Sequence, residues 1–394
     1  MKKNIKDFEL RGKRVIIRLD LNVPMTNGVI DDDTRIRSSI RTIKYATSEG
    51  ARVILMSHLG KVKTEEDREN NSLYPVSVRL SELLGRDVIF SYDTRSNKLT
   101  TMVNDLNDGE VLLIENTRFE DIDGKKESNC DEDLSKYWAS LGDIYINDAY
   151  GSCHRSHASV TGIPKYLPSG VGFLVEKEIK KIDSILESNT HPFTIVLGGK
   201  KVEDKISLID NLVKRADKVI IGGAMSFTFL KAMGYNVGSS VVSKEHIGFC
   251  REVLDNYGDK IVLPCDFVVM NNDNIINRDI NDFEDNDIGY DIGSKSISLF
   301  GKELKNSRRV ILNGAMGLFE DDRFSNGTKK IFDILDKKSI KTVIGGGDSA
   351  SSVNKLGFDG VFYHVSTGGG ATMKYIEDRK LVGIEVIDDE KFED

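Results

Sequence analysis

Residues 14–22 read RVIIRLDLN, a short apolar run that ends in alternating polar residues. The nearly continuous VII at 15–17 is typical of strands that are covered on both faces of a sheet. Beyond it, Arg18, Asp20 and Asn22 are two residues apart, so in an extended segment their side chains share one face. The stretch therefore predicts a buried strand whose carboxyl end carries polar side chains.

Similar apolar runs recur along the chain and alternate with stretches of helical spacing. The predicted strands begin at residues 15, 53, 88, 111, 144, 193, 219, 261, 310, 343 and 361. The predicted helices cover residues 35–48, 131–141, 202–215, 225–233 and 347–356. This βαβ periodicity predicts an α/β protein with two doubly wound parallel sheets.

Composition and charge narrow the functional class. The 394 residues suffice for two or three domains, and 55 Lys and Arg against 63 Asp and Glu leave a net charge of -8. That net negative charge does not favour binding to nucleic acid or to an anionic membrane, so any anionic ligand needs a local cationic cluster.

The sequence also bears on the compartment of the protein. No apolar run could span a bilayer, and no apolar segment follows the charged N-terminus, so we expect a cytoplasmic protein. The four scattered cysteines form no CxxC pair, which suits a reducing compartment.

The domain boundary is predicted near residues 162–170, GIPKYLPSG, because Gly and Pro punctuate that stretch. A charged helix over about 174–187 follows and would join the two domains. The acidic end of the chain, residues 388–394, is interpreted as a solvated tail rather than a binding segment.

Polar and cationic residues gather in the first half where predicted strands end. In open α/β sheets the carboxyl ends of strands converge on the ligand crevice, so these side chains could meet and bind phosphate or carboxylate. Each one alone is better explained as an ordinary surface cation or a helix cap, whereas their shared position after apolar strands favours the two interpretations equally. Two histidines three residues apart are weak support for a metal. The residues are Arg18, Asp20, Asn22, Arg35, His58, Lys61, Arg118, His154, Arg155 and His157.

Glycines recur in the second half just after predicted strands. One Gly pair is explained by a tight turn, but five groups favour a cradle for nucleotide phosphates. The groups are Gly198-Gly199, Gly222-Gly223, Gly314, Gly345-Gly346-Gly347 and Gly368-Gly369-Gly370. Neither GxxxxGK[ST] nor GxGxxG occurs, which argues against P-loop NTPases and dinucleotide dehydrogenases. Phosphoryl transfer to a small anion is indicated, with Lys201 or Lys205 neutralising charge and Asp348 either holding Mg²⁺ or capping a helix.

The chain resembles the phosphoglycerate kinase family from end to end. The matching segments are RVIIRLDLNVP (14–24), SHLGK (57–61), ENTRF (115–119), INDAYGSCHRSH (146–157), VLGGKKVEDKI (196–206), IGGAMSFTF (221–229), NGAMGLFE (313–320), TVIGGGDSA (342–350) and HVSTGGGAT (364–372). The resemblance implies two Rossmann-like domains, a phosphoglycerate-binding one over 1–170 and a nucleotide-binding one over 189–379. It further implies a hinge helix over 171–188 and a tail, about 380–394, that packs back on the first domain.

The resemblance also implies the reaction: reversible Mg²⁺-dependent phosphoryl transfer between 1,3-bisphosphoglycerate and ADP, giving 3-phosphoglycerate and ATP, on hinge closure. The implied catalytic residues are Arg35, Lys201 and Lys205, and Asp348 would meet the metal. The implied phosphoglycerate contacts are Asp20, Leu21, Asn22, Arg35, His58, Leu59, Gly60, Lys61, Arg118 and Arg155. The implied nucleotide contacts are Gly199, Lys201, Lys205, Gly222, Gly223, Asn313, Glu320, Gly345, Gly346, Gly347, Asp348 and Ser349. Members of the family are usually monomeric.

Some positions depart from the family pattern. Lys61 stands where Arg is usual, which changes a bidentate phosphate contact into a point charge. Leu312, Ala315 and Ser294 stand where Trp, Pro and Pro are usual. These losses leave two alternatives to an active enzyme: a nucleotide-binding scaffold or sensor with little transfer activity, and a kinase for another small carboxylate or phosphate.

Overall fold

The computed structural model describes residues 2–390, which divide into two units. The first unit comprises the chain up to Lys180 together with the residues from Asp378 onward. The second unit is Lys181–Glu377. Both boundaries lie inside helices, Phe173–Leu186 and Gly370–Asp378, so two continuous elements belong to both units.

A six-stranded parallel sheet forms the centre of the first unit. Its strands and those of a small hairpin are β1 (Arg14–Leu19), β2 (Met25–Thr26), β3 (Val29–Ile30), β4 (Arg52–Met56), β5 (Val88–Ser91), β6 (Val111–Ile114), β7 (Ile144–Asp148) and β8 (Ser169–Val171). The order across the sheet is β5-β6-β4-β1-β7-β8, and β2 and β3 form the antiparallel hairpin. Val15 pairs with Val53 and Ile144, and all three are buried, as expected for a sheet that helices cover on both faces.

Helices flank this sheet. They are α1 (Thr34–Ser48), α2 (Asp67–Asn70), α3 (Tyr74–Leu84), α4 (Asn97–Asn104), α5 (Glu132–Ser140) and α6 (Phe173–Leu186). Their ends follow from local chemistry: Ser96 and Asp131 cap α4 and α5 by accepting backbone N–H groups, and Gly85 ends α3 with φ of 67°. Short turns complete the unit: 3-10 helices at Ile5–Asp7, Thr117–Asp121, Tyr150–Ser152 and Ile163–Lys165, and a π-helical turn at Ala158–Gly162.

A second six-stranded parallel sheet forms the centre of the second unit. Its strands and those of a smaller sheet are β9 (Phe193–Leu197), β10 (Lys218–Ile221), β11 (Ile261–Val262), β12 (Asp266–Asn271), β13 (Asn274–Asp279), β14 (Asp287–Ile292), β15 (Arg309–Asn313), β16 (Lys341–Ile344) and β17 (His364–Val365). The order across the six-stranded sheet is β11-β10-β9-β15-β16-β17.

Helices surround the sheets of the second unit. They are α7 (Ile206–Leu212), α8 (Ser226–Ala232), α9 (Ile247–Tyr257), α10 (Ser294–Asn306), α11 (Asn326–Leu335), α12 (Gly347–Lys355) and α13 (Gly370–Asp378). The last helix, α14 (Val382–Glu385), belongs to the first unit. The 3-10 turns are Glu203–Lys205, Lys244–His246, Ile280–Asp282 and Asp322–Phe324.

The two doubly wound parallel sheets confirm the predicted fold class, and three details differ. The antiparallel sheet β13-β12-β14 was not predicted: β12 contains the apolar run 267–270, but polar residues interrupt the apolar pattern of β13 and β14. The strand predicted from 361 is reduced to β17, since the chain before it forms a turn. The helix predicted over 202–215 is shorter, with a 3-10 turn ahead of α7.

A buried carboxyl group holds the start of α6. Asp148, at the end of β7, accepts the N–H groups of Leu174 at 2.8 Å and Val175 at 3.2 Å through Oδ1. Its Oδ2 is enclosed and has no hydrogen-bond partner. Burial raises the pKa of Asp148 to about 6.

Asp148→Asn should therefore become more stable than wild type as pH rises. The folded pKa lies above the ordinary value of 3.8, so the contribution of this group to stability is full below pH 4 and lost as pH rises through 6. The amide keeps the Oδ1 acceptor without a charge, so the variant should gain about 3 kcal/mol on wild type between pH 4 and 7. Urea denaturation at a series of pH values measures this difference.

Asp143→Asn is the control with the opposite sign. The hydrogen bond and ion pair from Arg14 at 2.8 Å lower the pKa of Asp143, so that variant should lose stability relative to wild type as pH rises from acid. A difference between Asp148→Asn and wild type that does not change with pH would contradict the raised pKa.

The C-terminal segment of the described chain packs against the first unit. The N–H of Lys3 donates to the carbonyl of Asp388 at 2.8 Å, and Nδ2 of Asn147 donates to the carbonyl of Gly383 at 2.9 Å. Asp388 also accepts the N–H of Ser169. The remainder of the predicted acidic tail, 391–394, lies outside the described residues. Within 2–390, no helix combines the length and apolarity needed to cross a membrane.

Candidate active site

A cavity of about 1190 Å³ opens in the first unit at the carboxyl ends of its strands. The segments that follow β1, β4, β6 and β7 all contribute to it, as expected for ligand crevices of parallel sheets. Its walls are formed by Asn22, His58, Gly60, Lys61, Val62, Lys63, Arg118, Asp121, Ile122, Gly124, Lys125, Ser128, Asn129, Arg155 and His157.

Buried amides fix the loops of this cavity. Asn116 is fully buried; its Oδ1 accepts the N–H of Leu59 at 3.1 Å and of Arg118 at 3.0 Å, and its Nδ2 donates to the carbonyls of Leu59 and Asn71. Oδ1 of Asn22 accepts the N–H of Gly60 at 2.8 Å. Residues from three separate strand ends are therefore held in one arrangement before a ligand binds.

Arg35, at the start of α1, forms an ion pair with Asp20. Its Nη1 lies 3.0 Å from both carboxylate oxygens of Asp20, which is nearly buried. The contact uses one of the three guanidinium nitrogens, so the rest of the planar group stays available for an anion. Asp20 in turn lies next to the cavity, since its Oδ1 is 3.4 Å from the N–H of Asn22.

Positive charge is concentrated around the two histidines of the cavity. Burial, followed by the charges of Arg18, Arg118 and Arg155, lowers the pKa of His157 to about 3. The same causes hold the pKa of His58 well below its usual range. Both imidazoles are therefore neutral at neutral pH, and the cationic character of the cavity comes from its arginines and lysines.

The structure brings most of the predicted phosphoglycerate residues together. Asn22, His58, Gly60, Lys61, Arg118 and Arg155 line the cavity. Asp20 and Arg35 are linked beside it, whereas the side chains of Leu21 and Leu59 are buried in the core and could offer a ligand only backbone groups. The sequence analysis did not identify Lys63, Asp121, Lys125, Ser128 and Asn129, which lie several residues beyond the ends of β4 and β6.

A second cavity, of about 800 Å³, lies in the second unit. Glycine loops after β9, β10, β15 and β16 form it, together with the start of α13. Of the predicted nucleotide residues, those in its walls are Gly199, Lys201, Lys205, Gly223, Asn313, Glu320, Gly346, Gly347, Asp348 and Ser349. Gly222 and Gly345 stand behind the walls, where a Cβ would meet Met316 and Met373 or Thr372.

Asn313, the last residue of β15, organises the polar end of this cavity. Its Oδ1 accepts from Nζ of Lys205, and its Nδ2 donates to the carbonyl of Gly345 at 2.6 Å. Nearby, the N–H of Gly314 donates to Oγ of Ser349 at 2.7 Å. The ammonium group is thus held beside the N-terminus of α12, where backbone N–H groups favour an anion.

Gly314→Ala should abolish much of the nucleotide affinity. Gly314 has φ of 97°, and a Cβ there would lie 2.2 Å from the carbonyl oxygen of Gly198, so the two glycine loops would have to separate. We expect the dissociation constant for ADP, measured by calorimetry, to rise at least about tenfold, a loss of about 1.4 kcal/mol.

Gly234→Ala is the matched control for Gly314→Ala. Gly234 has φ of 94° in the same unit, and its Cβ would meet nothing within 4 Å. The control therefore carries the backbone strain without the collision and should bind ADP as wild type does. Equal losses of affinity in both variants would contradict the proposed role of close loop packing.

The other end of the second cavity is apolar. Val241, Ile288, Tyr290 and Leu318 line it, and the ring of Tyr290 stacks on Phe324 with centroids 4.8 Å apart. An aromatic base could pack against this surface while its phosphates extend toward Lys205. No sequence pattern indicated this surface, because it depends on β14 of the unpredicted antiparallel sheet.

The donor set is compatible with Mg²⁺ held mainly by phosphates. Asp348, in the first turn of α12, has an exposed carboxylate that faces the second cavity. Among residues 2–390 there is no group of three or more His, Cys, Asp or Glu that could hold a metal on its own. One carboxylate with substrate phosphates and water is the usual arrangement for Mg²⁺ in kinases, so Asp348 fits that ion.

Comparisons with known proteins identify the family of the chain. The family model for phosphoglycerate kinase matches residues 5–379. The chain is 49% identical over 394 residues to a phosphoglycerate kinase of Macrococcus caseolyticus, covering 99% of this chain and 100% of that one. It is 48% identical over 395 residues to the enzyme of Listeria monocytogenes, covering 98% and 99%.

Solved structures give the same result. A phosphoglycerate kinase from Coxiella burnetii superposes with a TM-score of 0.88 at 31% identity, and one from Pyrococcus horikoshii with 0.84 at 30%. Each comparison covers 98% of this chain and 98% of the solved chain. The family model and these relatives together show that the chain belongs to the phosphoglycerate kinase family.

Proposed function

We propose that the protein catalyses reversible phosphoryl transfer between 1,3-bisphosphoglycerate and ADP, giving 3-phosphoglycerate and ATP, as a phosphotransferase of glycolysis and gluconeogenesis with a carboxyl group as acceptor. The observation that carries this proposal is the pair of cavities, one rich in fixed cations and the other built from glycine loops, in a chain of this family. Membership of the family makes ATP and ADP co-substrates.

The first cavity is assigned to the phosphoglycerate. Arg118 and Arg155 carry guanidinium groups suited to a phosphate or carboxylate, while Asn22 and His58 add neutral polar groups. Asp20 orients Arg35 toward the reacting end of the ligand, and Leu21, Leu59 and Gly60 supply backbone. Lys61 contributes a point charge in place of the usual Arg, so its contact with the anion is less directional.

The second cavity is assigned to the nucleotide. The base packs at the apolar end, the ribose hydroxyls lie near Glu320, and the phosphates lie against the loops after β9, β10 and β16. Lys201 and Lys205 are assigned to the transferring oxygens. Asp348 would hold Mg²⁺, which neutralises phosphate oxygens when bound.

The chemistry needs no covalent enzyme intermediate. In the forward direction an oxygen of the ADP β-phosphate attacks the acyl phosphorus, a P–O bond forms, and the bond to the carboxyl oxygen breaks to release the carboxylate. Since charge spreads over the equatorial oxygens, catalysis rests on alignment of the two oxygens and on cations fixed in place. Because each ligand has its own unit, transfer requires the hinge helix to bring them together, which also excludes water from the acyl phosphate.

A coupled assay tests the function. Purified protein with ATP, 3-phosphoglycerate and Mg²⁺ should form the acyl phosphate, detected through its reductive consumption by a coupling dehydrogenase. Omission of Mg²⁺ or of 3-phosphoglycerate should abolish the signal. Nucleotide binding in calorimetry with no turnover would instead indicate a scaffold or sensor, and turnover only with another acid in a substrate panel would indicate a different acceptor.

We further infer a cytoplasmic monomer, as a soluble glycolytic enzyme of this family would be. Light scattering coupled to size-exclusion chromatography tests the oligomeric state, with a mass near 44.0 kDa expected.

A further inference from the structure

A buried guanidinium group lies behind the first cavity and contacts its histidine. Arg18, in β1, is fully buried. Its Nε donates to Oγ of Ser159 at 2.8 Å, its Nη1 donates to the carbonyl of Leu19, and its Nη2 lies 3.2 Å from Nδ1 of His58. Arg18 is enclosed, so it acts on the cavity through His58 and not by contact with a ligand.

A buried carboxylate anchors the other side of this network. Glu127 has no exposed surface; its Oε1 accepts Oγ–H of Ser159 at 2.5 Å, and its Oε2 accepts the N–H of Ser159 at 2.9 Å. Ser159 lies in the π-helical turn, a local irregularity that often accompanies functional sites. The hydroxyl of Ser159 donates to Glu127 and accepts from Arg18, so it joins the buried anion to the buried cation.

The direction of the contact with His58 follows from the chemistry of arginine. A guanidinium has only donors, so Nδ1 of His58 must be the acceptor and the proton of the neutral ring must be on Nε2. Among the described residues Nε2 of His58 has no partner, and it is absent from the enclosed polar atoms that lack one, so it is reached from the cavity.

We propose that Arg18, held by Ser159 and Glu127, is a positioning group that fixes the proton of neutral His58 on Nε2, so that the ring donates a hydrogen bond to an anionic oxygen in the first cavity. With the other tautomer the ring would present a lone pair to that oxygen and repel it. The proposal rests on the assignment of this cavity to 3-phosphoglycerate, and it adds Arg18, Ser159 and Glu127 to the residues that determine affinity for that ligand.

Histidine ¹⁵N spectroscopy tests the tautomer in the full-length protein. Labelled wild type at neutral pH should show a His58 signal with an unprotonated Nδ1 and a protonated Nε2, assigned by its disappearance in His58→Gln. Ser159→Ala removes the link to Nε of Arg18 and should give a mixed tautomer. Glu127→Gln keeps the size and hydrogen-bonding shape of the side chain but removes its negative charge. It should shift the His58 signal toward a mixed tautomer as well. This variant replaces Ser159→Ala in the test if Ser159→Ala fails to fold.

Kinetics provide the second readout. In Ser159→Ala we expect the KM for 3-phosphoglycerate to rise about tenfold and the KM for ATP to stay within about twofold. Ser135→Ala is the control, because Ser135 is also buried in the first unit but donates only to the carbonyl of Asp131 in its own helix. It should change neither the spectrum nor either KM.

The outcomes separate the two proposals. A wild-type His58 protonated on Nδ1, or on both nitrogens, would overturn the inference, as would an unchanged tautomer in both Ser159→Ala and Glu127→Gln. A changed tautomer with an unchanged KM for 3-phosphoglycerate would overturn the link to the ligand. Wild type without turnover would overturn the proposed function, while the spectrum would still decide the role of Arg18.

Discussion

Arg35→Ala should lower kcat by about 10² to 10³-fold while changing the KM for ATP by no more than about twofold. The Asp20 carboxylate holds one nitrogen of the guanidinium and leaves the others for oxygens of the transferring group. A fixed cation of this kind stabilises charge that develops in the transition state more than charge in the ground state. Steady-state kinetics with both substrates varied measure the two constants.

Two further variants show whether the effect belongs to this guanidinium. Arg37→Ala removes an equally charged side chain from the same helix, but Arg37 is exposed and pairs with Asp33, so kcat should remain near wild type. Arg35→Lys keeps a charge and loses the planar fork, so it should recover only part of the rate. A rise in nucleotide KM as large as the fall in kcat in Arg35→Ala would contradict the assignment.

Lys205→Met should weaken ATP binding by about 10 to 100-fold and lower kcat by about 10²-fold or more. The ammonium group is half-buried, and burial lowers its pKa, while the carboxylates of Asp204 and Asp348 favour the charged form. Oδ1 of Asn313 accepts a hydrogen bond from it. Methionine preserves much of the side-chain volume, so the loss reports the charge. Calorimetry with ATP and ADP, followed by kinetics, gives both numbers.

A comparison of ATP with ADP shows which phosphate the ammonium group of Lys205 contacts. Affinity for ATP should fall more than affinity for ADP, because Lys205 is assigned to the oxygens of the transferring phosphate. Lys231→Met, on the exposed surface of α8 outside the cavity walls, should bind both nucleotides as wild type does. Equal losses for ATP and ADP in Lys205→Met would place the ammonium at the phosphates that both nucleotides share.

The sequence predicted the elements whose signals are local. Continuous apolar runs such as 53–56 and 111–114 became central strands, and the polar residues after them reached the cavities, because parallel strands align their carboxyl ends. The small sheet β13-β12-β14 was missed because Asn274, Asn277 and Asp279 interrupt any apolar pattern in its middle segment. One face of the sheet, which includes Phe267 of β12, packs on Phe227 of α8, a contact between distant segments.

The sequence could not predict which polar residues near the first cavity are buried. Alternation placed Arg18 on the same face as Asp20 and Asn22, yet a sheet covered on both faces encloses Arg18 completely. Nothing in the sequence indicates that Glu127, over 100 residues downstream, neutralises it through Ser159. Such compensation between buried charges depends on tertiary packing and cannot be read from spacing.

The return of the chain to the first unit determines when the first unit can complete its packing during synthesis. The contacts of Lys3 and Asn147 with Asp388 and Gly383 require residues that follow the whole of the second unit. When the first 180 residues have been synthesised, the sheet of the first unit still lacks this packing segment, whereas the second unit lies within residues 181–377. The first unit is synthesised first, but it can complete its packing only after the whole second unit has been synthesised.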